Sequence, residues 1–393
     1  MKVNTDAKKI EELLTRGVEE VIVKEDLEKK LKSGKKLRVK LGIDPTSPNI
    51  HLGRSIPLLK LRDFQELGHQ VVFIIGDFTG VIGDTSDKDS ERPMLEKKKV
   101  EQNMKNYVEQ AGKILDIKKC EVRYNSEWLK KLSYGEIGFQ ADEFSLAEFI
   151  ARENIRRRLD AGTRISLREL LYPLMQGYDS VAVKADVELG GTDQRFNLLA
   201  GRTLQKVYKQ EPQDIIMGPL MEGTDGRKMS SSWGNTINLT EDPKDMFGKL
   251  MTIPDNLIIK YFTLATRESM EKIKGYEKQL TAGENPMKLK LNLASTITEF
   301  YNGKAAAEKA GEYFSSTFSK KEIPTDVPDL KPSSYDIVTV LVEGKLVSSK
   351  AEARRAIEQG GVRVNEVKVD SIEAKVEKGA IVQKGKRFFV RIS

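Results

Sequence analysis

The chain of 393 residues contains very little cysteine or histidine. It has one cysteine, Cys120, and two histidines, His51 and His69. A single cysteine excludes a disulfide within the chain, and so few thiol and imidazole groups argue against a zinc site. We therefore expect no zinc and no organic cofactor. Any metal ion should be Mg²⁺ that arrives bound to a phosphate substrate.

Long hydrophobic runs are also missing. No apolar stretch approaches ~18 residues, so we expect no membrane span and no membrane partner. The first residues, MKVNTDAKKIEELLTRG, mix acidic and basic side chains and lack the apolar core of a signal peptide. With 39% hydrophobic and 32% charged residues, the composition is that of a globular protein with an ordinary core. These features predict a cytoplasmic protein.

The net charge of +7 is spread unevenly along the chain. Residues 331–393 carry thirteen Lys and Arg against eight Asp and Glu, a balance of +5, which leaves +2 for the first 330 residues. A small basic module attached to a nearly neutral body suggests a polyanionic partner for the tail. A lysine-rich tail that only aids solubility would have the same charge, so composition alone leaves both interpretations open.

A strand–helix–strand pattern occurs twice in the first part of the chain. LRVKLGID (37–44) and HQVVFIIGDF (69–78) are apolar runs of strand length, and the apolar residues of SIPLLKLRDFQELG (55–68) have helical spacing. The pattern returns at 186–208 and 214–221. Because strand, helix and strand in this order form a βαβ unit, the sequence predicts an α/β fold with a Rossmann-like parallel sheet.

Changes in pattern divide the chain into three predicted domains. The region 95–182 is mostly helical by pattern, and helical segments dominate again from about 241 to 320. The segment KKEIPTDVPDLKPSS (320–334) contains three prolines and is typical of a linker. A basic helix and a short strand follow it. We predict an α/β domain over residues 1–240 with the helical insertion at 95–182, a helical domain over 241–325 and a small α+β domain over 331–393.

Two short motifs have the chemistry of phosphate binding. In DPTSPNIHLGRS (44–55), His51 lies where a helix begins after a predicted strand, and N–H groups at a helix N-terminus attract anions. Gly53 lets a nucleotide approach the backbone, while His51 and Arg54 can donate to phosphate oxygens. In DGRKMSSSWGN (225–235), Lys228 lies among hydroxyl residues of a loop that can fold over a triphosphate. Either motif alone also fits an ordinary surface loop.

The order of the two motifs, about 175 residues apart on a βαβ scaffold, makes coincidence a poor explanation. In this order HLGR and KMSSS resemble the two signature motifs of class I aminoacyl-tRNA synthetases. GDFTGVIGDTSDKDSERP, ELLYPLMQGYDSVAVKADVELGGTDQRFNLLAGR and the tail are similar to bacterial tyrosyl-tRNA synthetases, in the branch with LGxDPT and GGTDQRFNLL motifs. The resemblance covers nearly the whole chain. It implies catalytic, anticodon-binding and S-four-type RNA-binding domains, in that order, and a homodimer.

The motif YPLMQGYD suggests a pocket for an amino acid. Tyr172, Gln176 and Asp179 are four and three residues apart, so they share one face of a helix whose flanking residues are apolar. A carboxylate on this face can accept the hydroxyl proton of a phenol. A polar stripe facing solvent is the alternative. The resemblance implies that Asp179 binds the tyrosine hydroxyl and that the other groups of the tyrosine site are Tyr172, Gln176, Asp84, Gln194 and Gly42.

The resemblance also implies an ATP site and a set of catalytic groups. The expected ATP-binding residues are Asp44, His51, Gly53, Arg54, Gly191, Asp193, Lys228 and Ser231. The expected catalytic residues, which act by positioning and by stabilising charge, are His51, Arg54, Thr46, Lys228, Lys88 and Arg92. In the basic tail, the side chains expected to contact tRNA are Lys350, Arg354, Arg355 and Arg363.

Three positions depart from the common family pattern. Arg54 takes the place of a frequent histidine, and Ser231 takes the place of a second lysine, so Lys228 must act with less help. Lys40 lies where many relatives outside this branch have a tyrosine that contacts the substrate phenol. These departures leave the local geometry of the predicted site open.

The sequence thus predicts a ligase that forms tyrosyl-adenylate from L-tyrosine and Mg²⁺-ATP and transfers tyrosine to the 3′ end of tRNA(Tyr). One alternative is a synthetase-like RNA-binding protein recruited to another task, such as intron splicing. The complete pocket argues against it. A second alternative is an HxGH-type nucleotidyltransferase that acts on a small phosphorylated substrate. That reading leaves the basic tail and the helical region after residue 245 without a role.

Overall fold

The computed structural model describes residues 2–86, 90, 93–319, 327–385 and 388–393. The chain forms two compact units, Met1–Lys304 and Ala305–Ser393. Among the residues described, no helix is both long enough and apolar enough to cross a membrane.

The first unit is built on a six-stranded sheet. Its strands are β1 (Glu20–Ile22), β2 (Arg38–Ile43), β3 (Gln70–Ile75), β4 (Glu121–Tyr124), β5 (Val187–Gly191) and β6 (Asp214–Gly218). They lie in the order β1-β6-β5-β2-β3-β4, and every pair is parallel except β1 with β6. The chain runs outward from β2 to β4, then crosses to β5 and runs outward to β6. The strand order therefore reverses between β2 and β5, which is where ligands bind in open α/β sheets.

Sixteen of the described helices lie entirely within the first unit. They are α1 (Ala7–Thr15), α2 (Lys24–Lys32), α3 (Leu52–Glu66), α4 (Thr79–Ile82), α5 (Lys97–Met104), α6 (Tyr107–Gly112), α7 (Ser126–Leu129), α8 (Tyr134–Ala141), α9 (Leu146–Ile150), α10 (Glu153–Asp160), α11 (Leu167–Val183), α12 (Arg195–Val207), α13 (Pro243–Leu250), α14 (Ile258–Ala265), α15 (Met270–Thr281) and α16 (Pro286–Asn302). Short 3₁₀ turns lie at Ile117–Lys119, Thr192–Gln194, Ser231–Trp233 and Asp255–Leu257.

Helix α11 carries part of the predicted pocket, and its ends are well defined by the sequence. Ser166 and Glu169 form a reciprocal capping box at its start, which satisfies backbone N–H groups that have no partner within the helix. Lys184 ends the helix in the left-handed conformation, with φ of 52°. The helix packs along α12 and against β2. One face of α11 is thereby held over the carboxyl ends of the central strands.

The predicted parallel sheet is confirmed, with strands at β2, β3, β5 and β6. The sequence pattern missed β1 and β4, and β4 interrupts the region that was predicted to be mostly helical. Both are edge strands of three or four residues, and all their side chains are partly exposed or exposed. An edge strand needs no continuous apolar run, so neither one leaves the signal that marks a buried strand.

Helices α13 to α16 belong to the same compact unit as the sheet. Helix α14 packs against α3. The Arg16 side chain donates to the carbonyl oxygen of Thr263 in the last turn of α14 and to those of Thr266 and Glu268 just after the helix. The region is helical, as the pattern predicted. The division into separate domains at 240 and 325 stays a prediction.

The second unit is a small α+β structure. It contains α17 (Lys304–Phe314), which begins one residue earlier, a π-helical turn at Ser315–Ser319, α18 (Ile337–Glu343), α19 (Lys350–Glu358), β7 (Asp329–Leu330), β8 (Val362–Val364), β9 (Val367–Lys368), β10 (Ile381–Lys384) and β11 (Phe388–Ile392). The strands form a sheet in the order β7-β11-β10-β8-β9. Side chains of α18, α19 and the sheet share one apolar core that includes Leu341, Ile357 and Val382. The predicted basic helix followed by a strand corresponds to α19 and β8.

Candidate active site

A cavity of about 540 Å³ opens at the carboxyl ends of the central strands. Its wall includes the ends of β2 and β5, so it lies at the point where the strand order reverses. The described residues predicted for tyrosine, ATP and catalysis all line this cavity: Gly42, Asp44, Thr46, His51, Gly53, Arg54, Asp84, Tyr172, Gln176, Asp179, Gly191, Asp193, Gln194, Lys228 and Ser231. Lys88 and Arg92 lie outside the described residues.

His51 is the N-cap residue of α3 and the first residue of the HLGR motif, which is predicted to bind phosphate. Burial, with smaller contributions from the charges of Arg54 and Lys228, lowers its pKa to about 3, so the imidazole is neutral at physiological pH. Its buried Nδ1 has no hydrogen-bond partner among the described residues. A side chain at position 53 would place its Cβ 3.2 Å from the His51 ring, so glycine there keeps the ring in position. The site offers a neutral N–H donor and the start of a helix.

Arg54 is fixed beside His51. Its guanidinium donates to the hydroxyl of Tyr107 (2.9 Å), to Oγ1 of Thr46 (2.8 Å) and to the carbonyl oxygen of Asp44 (3.3 Å). Arginine at this motif position therefore ties the helix start to the turn after β2. The Arg54 and Thr46 side chains meet on the cavity wall, as expected for groups that share one anionic ligand.

The KMSSS loop closes the other side of the cavity mouth. Nζ of Lys228 lies 3.0 Å from Oδ2 of Asp193, another residue predicted to bind ATP. The buried Asn235 side chain holds the base of the loop, since its Nδ2 donates to the carbonyl oxygen of Lys228 (3.0 Å) and its Oδ1 accepts from the N–H of Ser230 (2.8 Å). Ser231 points toward Ser47, with 3.5 Å between the two hydroxyl oxygens. The loop thus brings Lys228 to the end of the cavity that is predicted to bind phosphate.

Asp179 lies at the opposite, buried end. Nε1 of Trp128 donates to its Oδ1 (2.7 Å) and Nδ2 of Asn125 to its Oδ2 (3.3 Å). Burial raises the pKa of Asp179 to about 7, although the Lys40 charge and the two donors lower it. A buried carboxylate with few donors has room for one more, and a phenol hydroxyl is a suitable one.

Two further carboxylates line the wall between the two ends. Asp44 accepts hydrogen bonds from the hydroxyls of Tyr172 (2.8 Å) and Thr79 (2.7 Å). Burial raises the pKa of Asp44 to about 6, although these two hydrogen bonds lower it. Asp84 accepts from Nε2 of Gln194 (2.7 Å). Tyr172 therefore reaches the turn after β2 from α11. Asp44, Asp84 and Tyr172 thus form a polar section of the cavity wall.

Lys40, one of the three residues that depart from the family pattern, lies beneath the cavity. Its side chain is fully buried on β2 and its Nζ is 2.8 Å from Oε1 of Glu188 on β5. Glu188 lines the cavity and also accepts from Nε2 of Gln176 (3.1 Å). Lys40 is thus linked through Glu188 to Gln176 on α11, the helix that lines the pocket.

Sequence reasoning missed four residues that shape the site: Thr79, Asn125, Trp128 and Glu188. Asn125 directly follows β4, and polar residues at carboxyl strand ends face the ligand edge of a parallel sheet, so recognising β4 would have identified it. Trp128, three residues later on α7, follows from the same assignment. Glu188 is an acidic residue in a buried strand, which itself indicates a buried partner.

The side chains expected to contact tRNA lie on the second unit. Lys350, Arg354 and Arg355 are exposed on α19, and Arg363 is exposed in β8. Arg363 donates a hydrogen bond to the carbonyl oxygen of Glu366. The helix and the strand that carry the four side chains are packed on the hydrophobic core of the second unit. Their position is compatible with a basic contact surface, and their role stays a prediction.

A Rossmann-like sheet whose cavity joins an HxG motif at a helix start to a KMSSS loop is the architecture of a class I aminoacyl-tRNA synthetase. Comparison with known proteins agrees: residues 32–319 match the family of class I tRNA synthetases for W and Y. Residues 318–392 match the SYY-like C-terminal domain of tyrosine–tRNA ligases.

Individual relatives narrow the assignment. The chain is 47% identical over 386 residues to the tyrosine–tRNA ligase of Thermotoga maritima, covering 97% of this chain and 96% of that one. Its fold is similar to that of the truncated mitochondrial tyrosyl-tRNA synthetase of Aspergillus nidulans (TM-score 0.66, 21% identity, 79% and 94% coverage). It is also similar to the Archaeoglobus fulgidus tyrosyl-tRNA synthetase complexed with L-tyrosine (TM-score 0.61, 22% identity, 77% and 99% coverage). The chain belongs to the tyrosine–tRNA ligase family, and it is an enzyme of that class.

Proposed function

We propose that this enzyme charges tRNA(Tyr) in two steps within the cavity. In the first, the carboxylate of L-tyrosine attacks the α-phosphorus of Mg²⁺-ATP, which forms tyrosyl-adenylate and releases pyrophosphate. In the second, a ribose hydroxyl at the 3′ end of tRNA(Tyr) attacks the tyrosyl carbonyl, which forms the ester and releases AMP. No protein side chain becomes covalently attached, so the enzyme contributes positioning and charge stabilisation.

One observation supports this proposal most directly. A single cavity carries a buried carboxylate, Asp179, at its inner end and phosphate-binding groups, His51 and Lys228, at its mouth. Tyrosine fits with its hydroxyl donating to Asp179 and its ammonium near Asp84, Tyr172 and Gln176. Its carboxylate then points toward the phosphate groups. Phenylalanine in the same position would leave Asp179 buried without its partner, which is unfavourable.

The residues at the cavity mouth have different roles in this proposal. Neutral His51 donates to the ATP phosphates without adding charge, whereas Arg54 and Lys228 meet the negative charge that develops on pyrophosphate. Thr46 orients Arg54 through their hydrogen bond. Asp193 and Gly191 hold the ribose, where a side chain at position 191 would come within 2.6 Å of the Asp193 carboxylate. Lys88 and Arg92 are proposed to add two more positive charges at the pyrophosphate.

Transfer of tyrosine needs contacts with tRNA outside the cavity. We infer that residues 241–325 bind the anticodon region and that 331–393 bind tRNA through the exposed side chains Lys350, Arg354, Arg355 and Arg363. The uneven net charge supports the second assignment, since +5 of the total +7 lies after residue 330. We propose the cytoplasm as the location of this reaction.

We also propose a homodimer. Helices α8 to α11 carry large apolar side chains that are exposed in the single chain, among them Tyr134 (94% exposed), Leu167 (78%) and Leu146 (62%). Exposed apolar groups concentrated along one stretch mark an interface more often than they mark a free surface. Sedimentation equilibrium should show a dimer for the parent protein and a weakened dimer for Leu167→Asp. A parent protein that stays monomeric at micromolar concentration contradicts this part of the proposal.

Tyrosine-dependent exchange of pyrophosphate into ATP tests the proposed function directly. The purified protein should catalyse exchange with L-tyrosine and Mg²⁺, and phenylalanine should support it poorly. An RNA-binding protein of another function would show no exchange, and an HxGH-type nucleotidyltransferase would exchange with a phosphorylated substrate in place of tyrosine. Either result overturns the proposal.

A further inference from the structure

A buried lysine lies under the wall of the tyrosine pocket. Nζ of Lys40 donates to Oε1 of Glu188 (2.8 Å), to Oγ of Ser180 (2.9 Å) and to the carbonyl oxygen of Gln176 (3.0 Å). An ammonium has three N–H groups, and each has an acceptor here. Glu188 and Lys40 are both almost completely inaccessible to solvent, so each charge depends on the other.

Glu188 fixes the orientation of the Gln176 side chain. Its Oε1 accepts from Nε2 of Gln176 (3.1 Å), and its Oε2 accepts from Oγ of Ser180 (3.0 Å) and from Nε2 of Gln213. Because the Gln176 Nε2 group is bound to Glu188, the opposite face of the amide presents its carbonyl oxygen. A carbonyl oxygen can accept from a substrate ammonium, whereas the NH₂ group would repel it.

The same lysine also acts on the helix that carries Asp179. Two of its three acceptors, the Gln176 carbonyl and the Ser180 hydroxyl, belong to α11 on either side of Asp179. Its charge favours the ionised carboxylate of Asp179, although the larger effect of burial opposes ionisation. An ionised Asp179 is the better acceptor for a phenol hydroxyl.

We propose that the Lys40–Glu188 ion pair is a specificity-determining positioning device for tyrosine. It holds the Gln176 amide and α11 in the orientation in which Gln176 binds the ammonium and Asp179 binds the hydroxyl of the substrate. The pair contacts neither end of tyrosine itself. This inference rests on the proposed function, since it assigns both polar ends of the substrate.

The double variant Lys40→Met, Glu188→Gln tests the inference without leaving an uncompensated charge. Both replacements are similar in size to the original side chains, and the variant protein is used as the full chain. In steady-state exchange, KM for tyrosine should rise about tenfold, the scale of one lost hydrogen bond to a charged group, while KM for ATP stays within about twofold. Selection of tyrosine over phenylalanine should fall about tenfold by the same reasoning. The single variant Lys40→Arg keeps the positive charge beside Glu188, so its selection of tyrosine over phenylalanine should lie between those of the double variant and the parent.

The double variant Lys30→Met, Asp214→Asn is the matched control. Nζ of Lys30 pairs with buried Asp214, the first residue of β6, and with the more exposed Glu211. Because Asp214 lies at the opposite end of its strand from the cavity, this variant removes both charges of a pair without touching the pocket. It should lower the melting temperature and leave KM for tyrosine unchanged. A Lys40→Met, Glu188→Gln variant that folds and keeps the parental KM and selection overturns the inference.

Ser180→Ala covers the case in which the Lys40→Met, Glu188→Gln variant does not fold. It removes only the hydroxyl that accepts from Lys40 and donates to Glu188. KM for tyrosine should rise by about threefold, within the usual range for one neutral hydrogen bond, and an unchanged KM contradicts the inference. If the parent protein shows no tyrosine-dependent exchange, the proposed function itself is wrong. That result is distinct from the one that overturns only this inference, in which an active variant keeps the parental selection of tyrosine over phenylalanine.

Discussion

The carboxylate of Asp179 is held by Trp128 and Asn125 in a pocket that water barely reaches, with 4% of the residue exposed. At this depth an acceptor without its donor is costly, so the pocket favours the amino acid that supplies a hydroxyl. Asp179→Ala should leave the fold intact and strongly reduce tyrosine activation. Exchange rates measured with tyrosine and with phenylalanine check this. If the variant still selects tyrosine as the parent does, Asp179 is not the specificity group.

The raised pKa of Asp179 gives tyrosine binding a pH dependence with a definite sign. Burial raises this pKa to about 7, so the carboxyl is mostly protonated at pH 6 and mostly ionised at pH 8. If the ionised form binds the phenol, affinity for tyrosine should rise about tenfold from pH 6 to pH 8 and level off above the pKa. Calorimetric titration of tyrosine at several pH values measures this. Asp179→Asn should bind weakly at every pH, and a persistent slope in that variant points to another group, such as Asp44.

Both histidines should remain neutral across the working pH range. Burial lowers the pKa of His51 to about 3 and that of His69 to about 4, each below the usual value near 6.5. Because the unfolded chain takes up these protons below about pH 6.5 and the folded chain does not, the two histidines destabilise the fold as pH falls through this window. NMR of histidine-labelled protein, assigned with His69→Asn, should show neither ring titrating between pH 5.5 and 8. A His51 signal that titrates near 6.5 contradicts the neutral-donor role.

At the scale of elements, we propose that the KMSSS loop stabilises the transition state through one lysine, Lys228. Lys228 pairs with Asp193 in the structure, and we expect it to exchange this contact for the pyrophosphate as charge develops there. Lys228→Ala should slow adenylate formation by roughly a hundredfold, or about 3 kcal/mol, with little change in tyrosine affinity. Rapid-quench measurement at saturating ATP and tyrosine checks the rate. Ser231→Lys should be tolerated or mildly activating.

Arg227→Ala is the matched control on the same loop. Its guanidinium is exposed, pairs with Asp225 and lies over the Trp233 ring, and Arg227 does not line the cavity. Adenylate formation should stay within about threefold of the parent rate, which is the range of a surface ion pair. If Lys228→Ala keeps the parent rate, Arg54, Lys88 and Arg92 carry the charge stabilisation and the role assigned to the loop is wrong.

Elements with a strong local signal could be predicted from the sequence, and those without one could not. The buried runs at β2 and β3 and the spacing of Tyr172, Gln176 and Asp179 on α11 led directly to the sheet and the pocket face. The edge strand β4 has no such run, so Asn125 and Trp128 went unnoticed. The partnership between Lys40 and Glu188 joins two strands 148 positions apart, and no local pattern indicates which distant group compensates a buried lysine.

At the scale of the whole molecule, catalysis and the basic surface lie in different compact units. The cavity belongs entirely to Met1–Lys304, whereas α19 and its exposed arginines belong to Ala305–Ser393. Each unit has its own hydrophobic core, and that of the second is built by α18, α19 and their sheet. Adenylate formation should therefore be separable from tRNA binding. Deleting residues 331–393 should spare tyrosine-dependent exchange and weaken tRNA charging.

A point variant tests the role of the second unit in tRNA binding without removing that unit. Arg354→Glu on α19 reverses one exposed charge, so it should weaken tRNA binding and lower the slope of log affinity against log salt by about 1 or more, because fewer counterions are released from the RNA. Lys8→Glu on α1 makes the same change in net charge at an exposed position of the first unit, outside the residues proposed to bind tRNA, and serves as the control. Filter binding of tRNA(Tyr) from 50 to 300 mM salt, roughly the range in which such contacts are screened, measures both slopes. Exchange activity should be unchanged in both variants. If Arg354→Glu, the deletion and the parent bind tRNA with the same affinity and the same salt slope, the second unit does not bind RNA. The basic tail would then serve solubility alone.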